Sequence, residues 1–431
     1  AGDPASEPLP APAASAVAAP LVARGTVLGV ATFTRIRGSR PFDEQDVALA
    51  AEIAARAAIA IDNARLYARE KAVAVALQRS LLPQERPRLT AVDVAHRYLP
   101  GSVVTEVGGD WFDVIPLSCG RVALVIGDVM GRGVRAAAAM GQLRTAVRTL
   151  AVLDPMPDDA LTHLDDLAQS LDQVQLATCI YAVYDPATRR LRYASAGHLP
   201  PAVVTPDGTA TYLPLPSGAP LGVGGVPFEN AVIPLPDGSR IALYTDGLVE
   251  SREEDLDEGL LALQGVLGGQ DEDLELICDR TLDQLGRADA HHDDVALLVA
   301  RVHGLPGERM ARWMVPSDLS AVARARDHTA STLSQWGLEA LCDTATLLVS
   351  ETVTNAIRYA RDPIELRILL LDDALAVAVH DSDTRLPRLR RAREDDEGGR
   401  GLHLVGMLAH RWGTRATANG KVVWFELGAR R

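Results

Sequence analysis

Long apolar runs, paired cysteines and an excess of positive charge are all missing from this 431-residue chain. No apolar run reaches membrane-spanning length, because Glu52 and Arg56 interrupt the alanine-rich stretch 46–61. The four cysteines lie far apart without a CxxC pair, which excludes a disulfide scaffold and indicates reduced thiols. A net charge of −14 argues against nonspecific binding to nucleic acid or to an anionic membrane. We therefore expect a cytoplasmic protein with neither nucleic acid nor membrane among its partners.

Proline and glycine are absent from Asp46 to Leu82, which predicts one unusually long helix. Asp43 is placed to cap its start, and Pro83 ends it. A helix packed on the surface of its own domain is one interpretation. The length favours the other, a signalling helix through which two copies of the chain form a homodimer. Apolar residues near heptad spacing support it, at Ile59, Leu66, Val73, Leu77 and Leu81.

Between about residues 92 and 302 the chain consists of short apolar strands that end at glycine, aspartate or proline. Helical stretches near 134–153 and 158–174 interrupt them, which predicts an α+β fold with a largely antiparallel sheet. An aspartate lies at the end or the beginning of several of these strands. They are Asp110, Asp128, Asp246 and the doublet Asp293–Asp294.

These aspartates point to a metal site. Carboxylates gathered at one sheet edge repel each other and cannot all stay ionised without a cation. Ligand sets made only of oxygen suit Mg²⁺ or Mn²⁺. Two such ions can activate a water molecule for in-line attack on phosphorus.

The motifs "GGDWFDV", "GDVMGRGV", "AGHLPP", "GAPLGVG", "LYTDGLVE" and "DDVALL" resemble the PPM superfamily of metal-dependent protein-serine phosphatases. Residues 77–302 are similar to the branch that dephosphorylates anti-anti-sigma factors in bacterial stress and sporulation pathways. The resemblance implies two Mn²⁺ or Mg²⁺ ions, with Asp128 bridging them. The implied metal ligands are Asp110, Asp128, the Val129 carbonyl, Asp246 and Asp293, with Asp294 as the alternative in the doublet. The resemblance also implies that Asp110, Asp128, Asp246 and Asp293 are the catalytic residues.

Other polar residues near these motifs leave two interpretations open. His198 either lines the site or holds a loop. His291 and His292 are either ligands or surface side chains beside a turn. Arg132 stands where the family often has histidine, and it either contacts substrate phosphate or is solvated.

A second set of polar residues lies in the last 120 residues. Glu351 and Asn355 are four apart in "LLVSETVTNAIRYA", so they share one helix face. Asp381 ends the strand of "VAVHDSD", and "EDDEGGRGLHLVGMLAHRWG" is a glycine-rich loop that opens a helix. Backbone N–H groups at such a helix start bind phosphates, and an asparagine oxygen suits Mg²⁺.

This second set, over about residues 313–427, resembles the GHKL ATPases and is closest to the serine-kinase anti-sigma factors. The resemblance implies that Asn355 binds Mg²⁺ and Asp381 binds adenine. It also implies that Gly399, Arg400 and Gly401 bind the phosphates of ATP, and that Glu351 is the base acting on a serine hydroxyl. One departure is Asp383, because the superfamily often has Asp-x-Gly there. The arginine-rich segment Arg385–Asp395 is either a solvated lid or a lid that contacts phosphate or a partner.

The segments "PLVARGTVLGVATFTR" and "PFDEQDVALAAEIAARAAIAIDNARLY" resemble the last strand and closing helix of a GAF sensory domain. We therefore expect an α+β multidomain chain. A PPM-type antiparallel β-sandwich flanked by helices precedes a C-terminal α/β GHKL ATPase sandwich. The expected boundaries are a disordered tail at 1–20, a GAF remnant at 21–67, a signalling helix and linker at 68–90, the phosphatase at 91–303, a linker at 304–312 and the ATPase at 313–431.

The expected function is dephosphorylation of a phosphorylated anti-anti-sigma (STAS) protein, combined with an ATP·Mg²⁺-binding serine-kinase module that regulates sigma-factor activity. A sigma factor is a further expected partner. The alternative is a nucleotide-gated, anti-sigma-like regulator that binds a partner with weak or no catalysis.

Overall fold

The computed structural model describes residues 13–36, 38–81, 89–101, 108–131, 133–171, 176–250, 255–269, 273–286, 293–360, 363–385 and 400–428. The chain divides into two compact units, Ala1–Leu77 and Gln78–Arg431. Among the helices in these ranges, none combines the length and the apolar character that crossing a bilayer requires.

The N-terminal unit contains a β-hairpin and most of a long helix. Its elements are β1 (Ala13–Ala23), β2 (Thr26–Ile36) and α1 (Glu44–Leu81). The unbroken helix is confirmed, and so is its cap, since the Asp46 amide donates to Asp43 Oδ1 at 2.9 Å. Residues 13–20, which the sequence assigned to a tail, belong to β1. Their Ala- and Pro-rich composition carries no strand signal, and antiparallel pairing with β2 supplies the hydrogen bonds.

The second unit begins with a pair of antiparallel sheets, called here the central sandwich. One sheet has the order β10-β7-β6-β5-β4 and the other β3-β12-β11-β8-β9. The strands are β3 (Val92–Leu99), β4 (Trp111–Pro116), β5 (Val122–Val129), β6 (Ala177–Asp185), β7 (Arg190–Ala196), β8 (Ala202–Val204), β9 (Ala210–Tyr212), β10 (Ala231–Pro234), β11 (Arg240–Tyr244) and β12 (Val295–Val302). The helices are α2 (Val134–Leu153), α3 (Pro157–Ser170), α4 (Asp246–Val249), α5 (Leu256–Leu267) and α6 (Leu274–Gln284).

Three apolar layers hold the central sandwich together. Leu124 and Leu298 belong to the layer between the two sheets. Leu143 belongs to a layer that α2 and α3 form on one outer face, and Ile277 to a layer that α5 and α6 form on the other. Burial on both faces explains why the strands are nearly continuous apolar runs. The expected antiparallel sandwich flanked by helices is therefore confirmed.

The stretch "RLRYASAGHLPPAVV" is divided between the two sheets as β7 and β8. Gly197 turns the chain there with a φ of +65°. Other residue types rarely adopt this left-handed conformation, so the glycine marks the crossing from one sheet to the other.

The rest of the second unit is a two-layer α/β fold, called here the C-terminal sandwich. Its antiparallel sheet has the order β13-β14-β15-β17-β16, and α7, α8 and α9 pack on one face around Leu348 and Val405. The elements are β13 (Met310–Val315), α7 (Ser320–Gln335), α8 (Cys342–Tyr359), β14 (Ile364–Leu370), β15 (Ala374–Asp381), α9 (Arg400–Leu408), β16 (Arg411–Thr417) and β17 (Gly420–Gly428). This agrees with the expected α/β ATPase architecture.

The opposite face of the C-terminal sheet packs on the central sandwich. Cys119 and Leu305 form a buried apolar cluster with Leu371 and Trp424 of the C-terminal sandwich. Within this cluster the Cys119 amide donates to the buried Glu426 carboxylate at 2.9 Å. The two sandwiches are therefore joined by apolar contact and by a charge-assisted hydrogen bond.

Candidate functional site

The aspartates of the central sandwich lie at strand ends on one edge of its sheets. Because Trp111 pairs with Gly127, Asp110, just before β4, and Asp128, at the end of β5, lie side by side. On the other sheet, the Thr245 amide donates to the Ala296 carbonyl at 3.1 Å, which places Asp246 near the start of β12. We call Asp110, Asp128, Asp246 and Asp293 the strand-end aspartates.

Burial and the neighbouring carboxylates perturb the pKa values of Asp110, Asp128 and Asp246. Burial, followed by the charges of Asp128 and Asp294, raises the pKa of Asp110 well above its usual value. Burial raises the pKa of Asp128 to about 6, although a hydrogen bond with Asp110 opposes the shift and the charges of Asp246 and Asp293 add to it. Burial also raises the pKa of Asp246, with Asp293 contributing. Such mutual shifts require the carboxylates to be close together.

Two features of this edge suit a hard cation. Asp110 is only 3% exposed, and its Oδ2 has no hydrogen-bond partner among the described residues. Gly109 lies so close to the Val129 carbonyl that a Cβ at position 109 would collide with that oxygen. A buried unpaired carboxylate oxygen is costly, so a cation would remove a penalty that the protein alone leaves in place.

Within the described ranges, no group of three or more His, Cys, Asp or Glu side chains has the arrangement of a metal site as it stands. The chemistry of the donors still fits Mg²⁺ or Mn²⁺, because carboxylates and a backbone carbonyl are the oxygen ligands that these ions prefer. The residues that would hold the ions are the strand-end aspartates and Val129.

The two aspartates of the doublet Asp293–Asp294 lie in different environments. Asp294 is 3% exposed, and its carboxylate accepts hydrogen bonds from the Tyr98 hydroxyl and, at 2.8 Å, from the Gly101 amide. Asp293 is exposed, and its Oδ1 accepts from the Asp294 amide at 3.0 Å. Asp294 thus anchors the end of β3, which favours Asp293 as the metal ligand. No sequence signal identified Tyr98 or Gly101 as its partners.

His198 holds the two sheets together beneath this edge. It is buried, with Nδ1 2.7 Å from the Thr178 hydroxyl and Nε2 3.1 Å from the Tyr244 carbonyl. Since a carbonyl only accepts, Nε2 carries the proton, and burial lowers the pKa of His198 to about 4. His198 is therefore a neutral positioning residue between β6 and β11. His291, His292 and Arg132 lie outside the described residues.

A second candidate site lies in the C-terminal sandwich, where α8 meets the start of α9. Glu351 and Asn355 are half-buried on α8. A Cβ at Gly401 would lie 2.5 Å from Glu351 Oε2 and 3.5 Å from Asn355 Nδ2. Only glycine fits there without displacing Glu351. Arg400 is the first residue of α9, whereas Gly399 and residues 386–395 of the arginine-rich segment lie outside the described residues.

Asp381 is buried at the end of β15 and is paired with a lysine that sequence reasoning missed. Lys421 Nζ lies 2.9 Å from Asp381 Oδ1 and 3.1 Å from Asp383 Oδ2. Hydrogen bonds from Arg385 are the main cause that lowers the pKa of Asp383 to about 2. The aspartate that replaces the family's glycine therefore provides Lys421 with a second carboxylate. The feature of the sequence that could have identified this pairing is the lone lysine at the start of "KVVWFEL".

Three family models match successive parts of the chain. Residues 3–61 match the GAF domain, residues 118–303 match Stage II sporulation protein E (SpoIIE), and residues 315–427 match the Histidine kinase-like ATPase domain. The chain therefore contains, in this order, regions that match a GAF domain, the SpoIIE family and a histidine-kinase-like ATPase domain. That order is the one that the three resemblances predicted.

Relatives with known names match the same regions. Phosphoserine phosphatase RsbU of Bacillus subtilis (strain 168) is 27% identical over 184 residues, which are 42% of this chain and 54% of RsbU. Phosphoserine phosphatase RsbP of the same organism is 28% identical over 152 residues, 34% of this chain and 38% of RsbP. The chain thus spans about half or less of the length of these curated relatives.

Among solved structures, the RsbU and RsbW domains of Rv1364c from Mycobacterium tuberculosis are similar to this chain. They are 28% identical, cover 79% of this chain and 94% of that one, and give a TM-score of 0.47.

The two members of the doublet should respond differently to the same substitution. Asp293→Asn should leave the thermal midpoint unchanged or raised, and should weaken Mn²⁺ binding about tenfold or more, because it removes a ligand charge. Asp294→Asn should lower the free energy of unfolding by about 1–3 kcal/mol, because it disturbs two hydrogen bonds to a buried carboxylate. Thermal unfolding in EDTA and calorimetric titration with Mn²⁺ measure the two effects. The reverse pattern would exchange the two roles.

Proposed function

We propose that residues 91–303 form a metal-dependent protein-serine phosphatase that acts on a phosphorylated anti-anti-sigma (STAS) protein. The observation that carries the proposal is the convergence of the strand-end aspartates, with raised pKa values at Asp110, Asp128 and Asp246 and an unpaired buried oxygen on Asp110. The phosphoserine-phosphatase relatives support the same reaction class.

The central sandwich would contribute fixed geometry to this reaction. The aspartates belong to ends of strands that are buried on both faces, so the sheets rather than mobile loops set their separation. His198 ties the strand beside Asp128 to the strand before Asp246. When bound, Mn²⁺ or Mg²⁺ would activate a water molecule for attack on the serine phosphate. Asp293 is exposed, which suits a site that receives a protein substrate.

Asp128→Asn and Asp246→Asn should each lower hydrolysis of p-nitrophenyl phosphate in saturating Mn²⁺ by about 10²-fold or more, because each removes a ligand charge from the metal site. Asp257→Asn is the matched control, since Asp257 is an exposed aspartate on α5, outside the strand-end aspartates. It should retain full activity. Turnover close to that of the unmodified chain in both site variants would refute the proposal.

For the C-terminal sandwich we propose binding of ATP with Mg²⁺, and phosphate transfer to a serine of the same class of protein. Asn355 would bind Mg²⁺, Asp381 the adenine, the segment 399–401 the phosphates, and Glu351 would act as base. The proximity of Gly401 to Glu351 and Asn355 supports a shared site. Both bonds described for Asp381 go to Oδ1, which leaves Oδ2 as the oxygen to meet adenine.

In the alternative, the C-terminal sandwich binds ATP but does not transfer its phosphate. It would then be a nucleotide-gated module that binds a partner such as a sigma factor. Glu351 favours this alternative in one respect, because its carboxylate packs against the start of α9 and could serve to hold that helix. Two opposed enzymes in one chain would also consume ATP without net effect unless they were gated separately.

Asn355→Ala should weaken ATP·Mg²⁺ binding about tenfold or more, because it removes an oxygen ligand of the metal. Glu351→Ala should preserve binding and lower transfer about 10²-fold or more, since a base acts mainly in the transition state. Both are made in an Asp246→Asn background, with radiolabelled ATP and candidate anti-anti-sigma proteins. Binding without transfer in the Asp246→Asn chain itself would establish the alternative, and no binding at millimolar ATP would reject both.

We also propose that α1 forms a homodimer with a second copy of the chain. Ile59 and Leu66, two of the heptad positions, are 57% and 38% exposed. The side chains of Val73, Leu77 and Leu81 lie outside the described part of the chain. Exposed apolar residues at this spacing are typical of a helix that packs on another helix.

Replacing Ile59 and Leu66 together by glutamate should convert dimers to monomers at micromolar concentration, because it places charges in an apolar seam. Ala64→Glu is the control, since Ala64 is exposed and lies about 140° around the helix from Ile59. Light scattering after size-exclusion chromatography gives the mass of each. A chain that is already a monomer before substitution contradicts the proposal.

A further inference from the structure

A cavity of about 210 Å³ lies where the central and C-terminal sandwiches meet. Its walls come from the turn after α2, from β6 and β7 of the central sandwich, and from β14, β15 and β16 of the C-terminal sandwich. Five arginines line it, and we call it the arginine cavity. They are Arg121, Arg190, Arg192, Arg367 and Arg415.

The carboxylates in the walls do not balance these guanidinium groups. Asp154 and Asp185 are the acidic residues of the lining, and Asp154 is already paired with Arg121 in a buried ion pair. Arg367 pairs with the buried Glu365 just outside. Arg190 and Arg192 of β7 and Arg415 of β16 add three further positive charges to the lining.

The excess positive charge is partly desolvated. Arg121 is 7% exposed, and the Nε atoms of Arg121 and Arg415 are buried without a hydrogen-bond partner among the described residues. A buried N–H donor without an acceptor is costly, so the walls of the cavity hold positive charge that the protein itself does not fully compensate.

The pKa values of two lining residues reflect the same excess of positive charge. Burial, followed by the charges of Arg367, Arg415 and Arg121, lowers the pKa of His380 to about 2. Burial, followed by Arg121, lowers the pKa of Arg415 to about 10. Residues from both sandwiches therefore share one positive potential, which a bound anion would relieve.

We propose that the arginine cavity binds a compact phosphate anion, either a single phosphate group or a pyrophosphate, and that the anion links the two sandwiches. Guanidinium groups bind phosphate oxygens through paired, charge-assisted hydrogen bonds. The cavity is smaller than the roughly 300–1,000 Å³ that encloses drug-sized ligands, so it suits the phosphate groups rather than a whole nucleotide.

Because residues of both sandwiches line the cavity, a bound anion would affect how the two sandwiches pack together. Arg190 and Arg192 belong to the central sandwich, whereas Arg367 and Arg415 belong to the C-terminal one. An anion that contacts both pairs binds the docked arrangement better than a separated one. By linkage, it stabilises the docked arrangement and couples the two candidate sites through it.

The test is calorimetric titration of the full chain with sodium pyrophosphate and, separately, with sodium orthophosphate. EDTA is present so that metal-bridged binding at the strand-end aspartates does not contribute, and sodium chloride at equal ionic strength is the blank. We expect saturable binding and a higher thermal midpoint. Tighter binding of pyrophosphate identifies a two-phosphate ligand, and equal affinities identify a single phosphate group.

Arg192→Gln and Arg415→Gln, one from each sandwich, should each weaken this binding about tenfold or more, the loss expected for a charge-assisted hydrogen bond. Arg324→Gln is the matched control, because Arg324 is an exposed arginine on α7 and the same charge is lost, and it should bind like the unmodified chain. No saturable binding beyond the chloride blank, or equal binding by all variants, overturns the proposal.

Discussion

Repulsion among the strand-end aspartates is the interaction on which the rest of the central sandwich depends. Carboxylates raise each other's pKa only when they are held close, and holding them close costs folding free energy. Two sheets that are buried on both faces provide the rigidity, and His198 fixes their relative position just below Asp128 and Asp246. The unpaired oxygen of Asp110 is the local cost of that arrangement, which a cation would offset.

Both candidate sites use a pair of neighbouring carboxylates for two different purposes. In the central sandwich, Asp294 is bonded to Tyr98 and Gly101 while Asp293 faces outward. In the C-terminal sandwich, Lys421 holds Asp381 and Asp383 together at the end of β15. In the central sandwich the committed carboxylate fixes the backbone beside the one proposed to bind a metal, whereas in the C-terminal sandwich Asp383 shares Lys421 with the aspartate proposed to bind adenine. Such bonds keep the backbone fixed at a sheet edge where several carboxylates are held close together.

The junction between the sandwiches makes them one compact unit rather than two tethered domains. Apolar contact around Cys119 and Trp424 holds it, and the buried Glu426 adds a bond to the backbone of residue 119. The arginine cavity lies at the margin of this contact, where positive charge from both sides exceeds the acidic residues available. An anion there would act on the junction itself, which lies between a proposed phosphatase site and a proposed nucleotide site.

The sequence by itself determined the long helix, most strands, the order of the domains and the set of aspartates, because these depend on local periodicity and on residues at strand ends. It left the choice between Asp293 and its alternative Asp294 open, did not place the crossing between the two sheets at Gly197, and gave no role to Lys421 or Tyr98. Those points depend on contacts between distant residues: Asp294 meets Tyr98 across 196 positions, and Lys421 meets Asp381 across 40. The arginine cavity is the clearest case, since Arg121 and Arg415 become neighbours only when two separately patterned sandwiches pack together. Tertiary packing decided these features because burial and electrostatic pairing act through space, whereas sequence patterns record only neighbours along the chain.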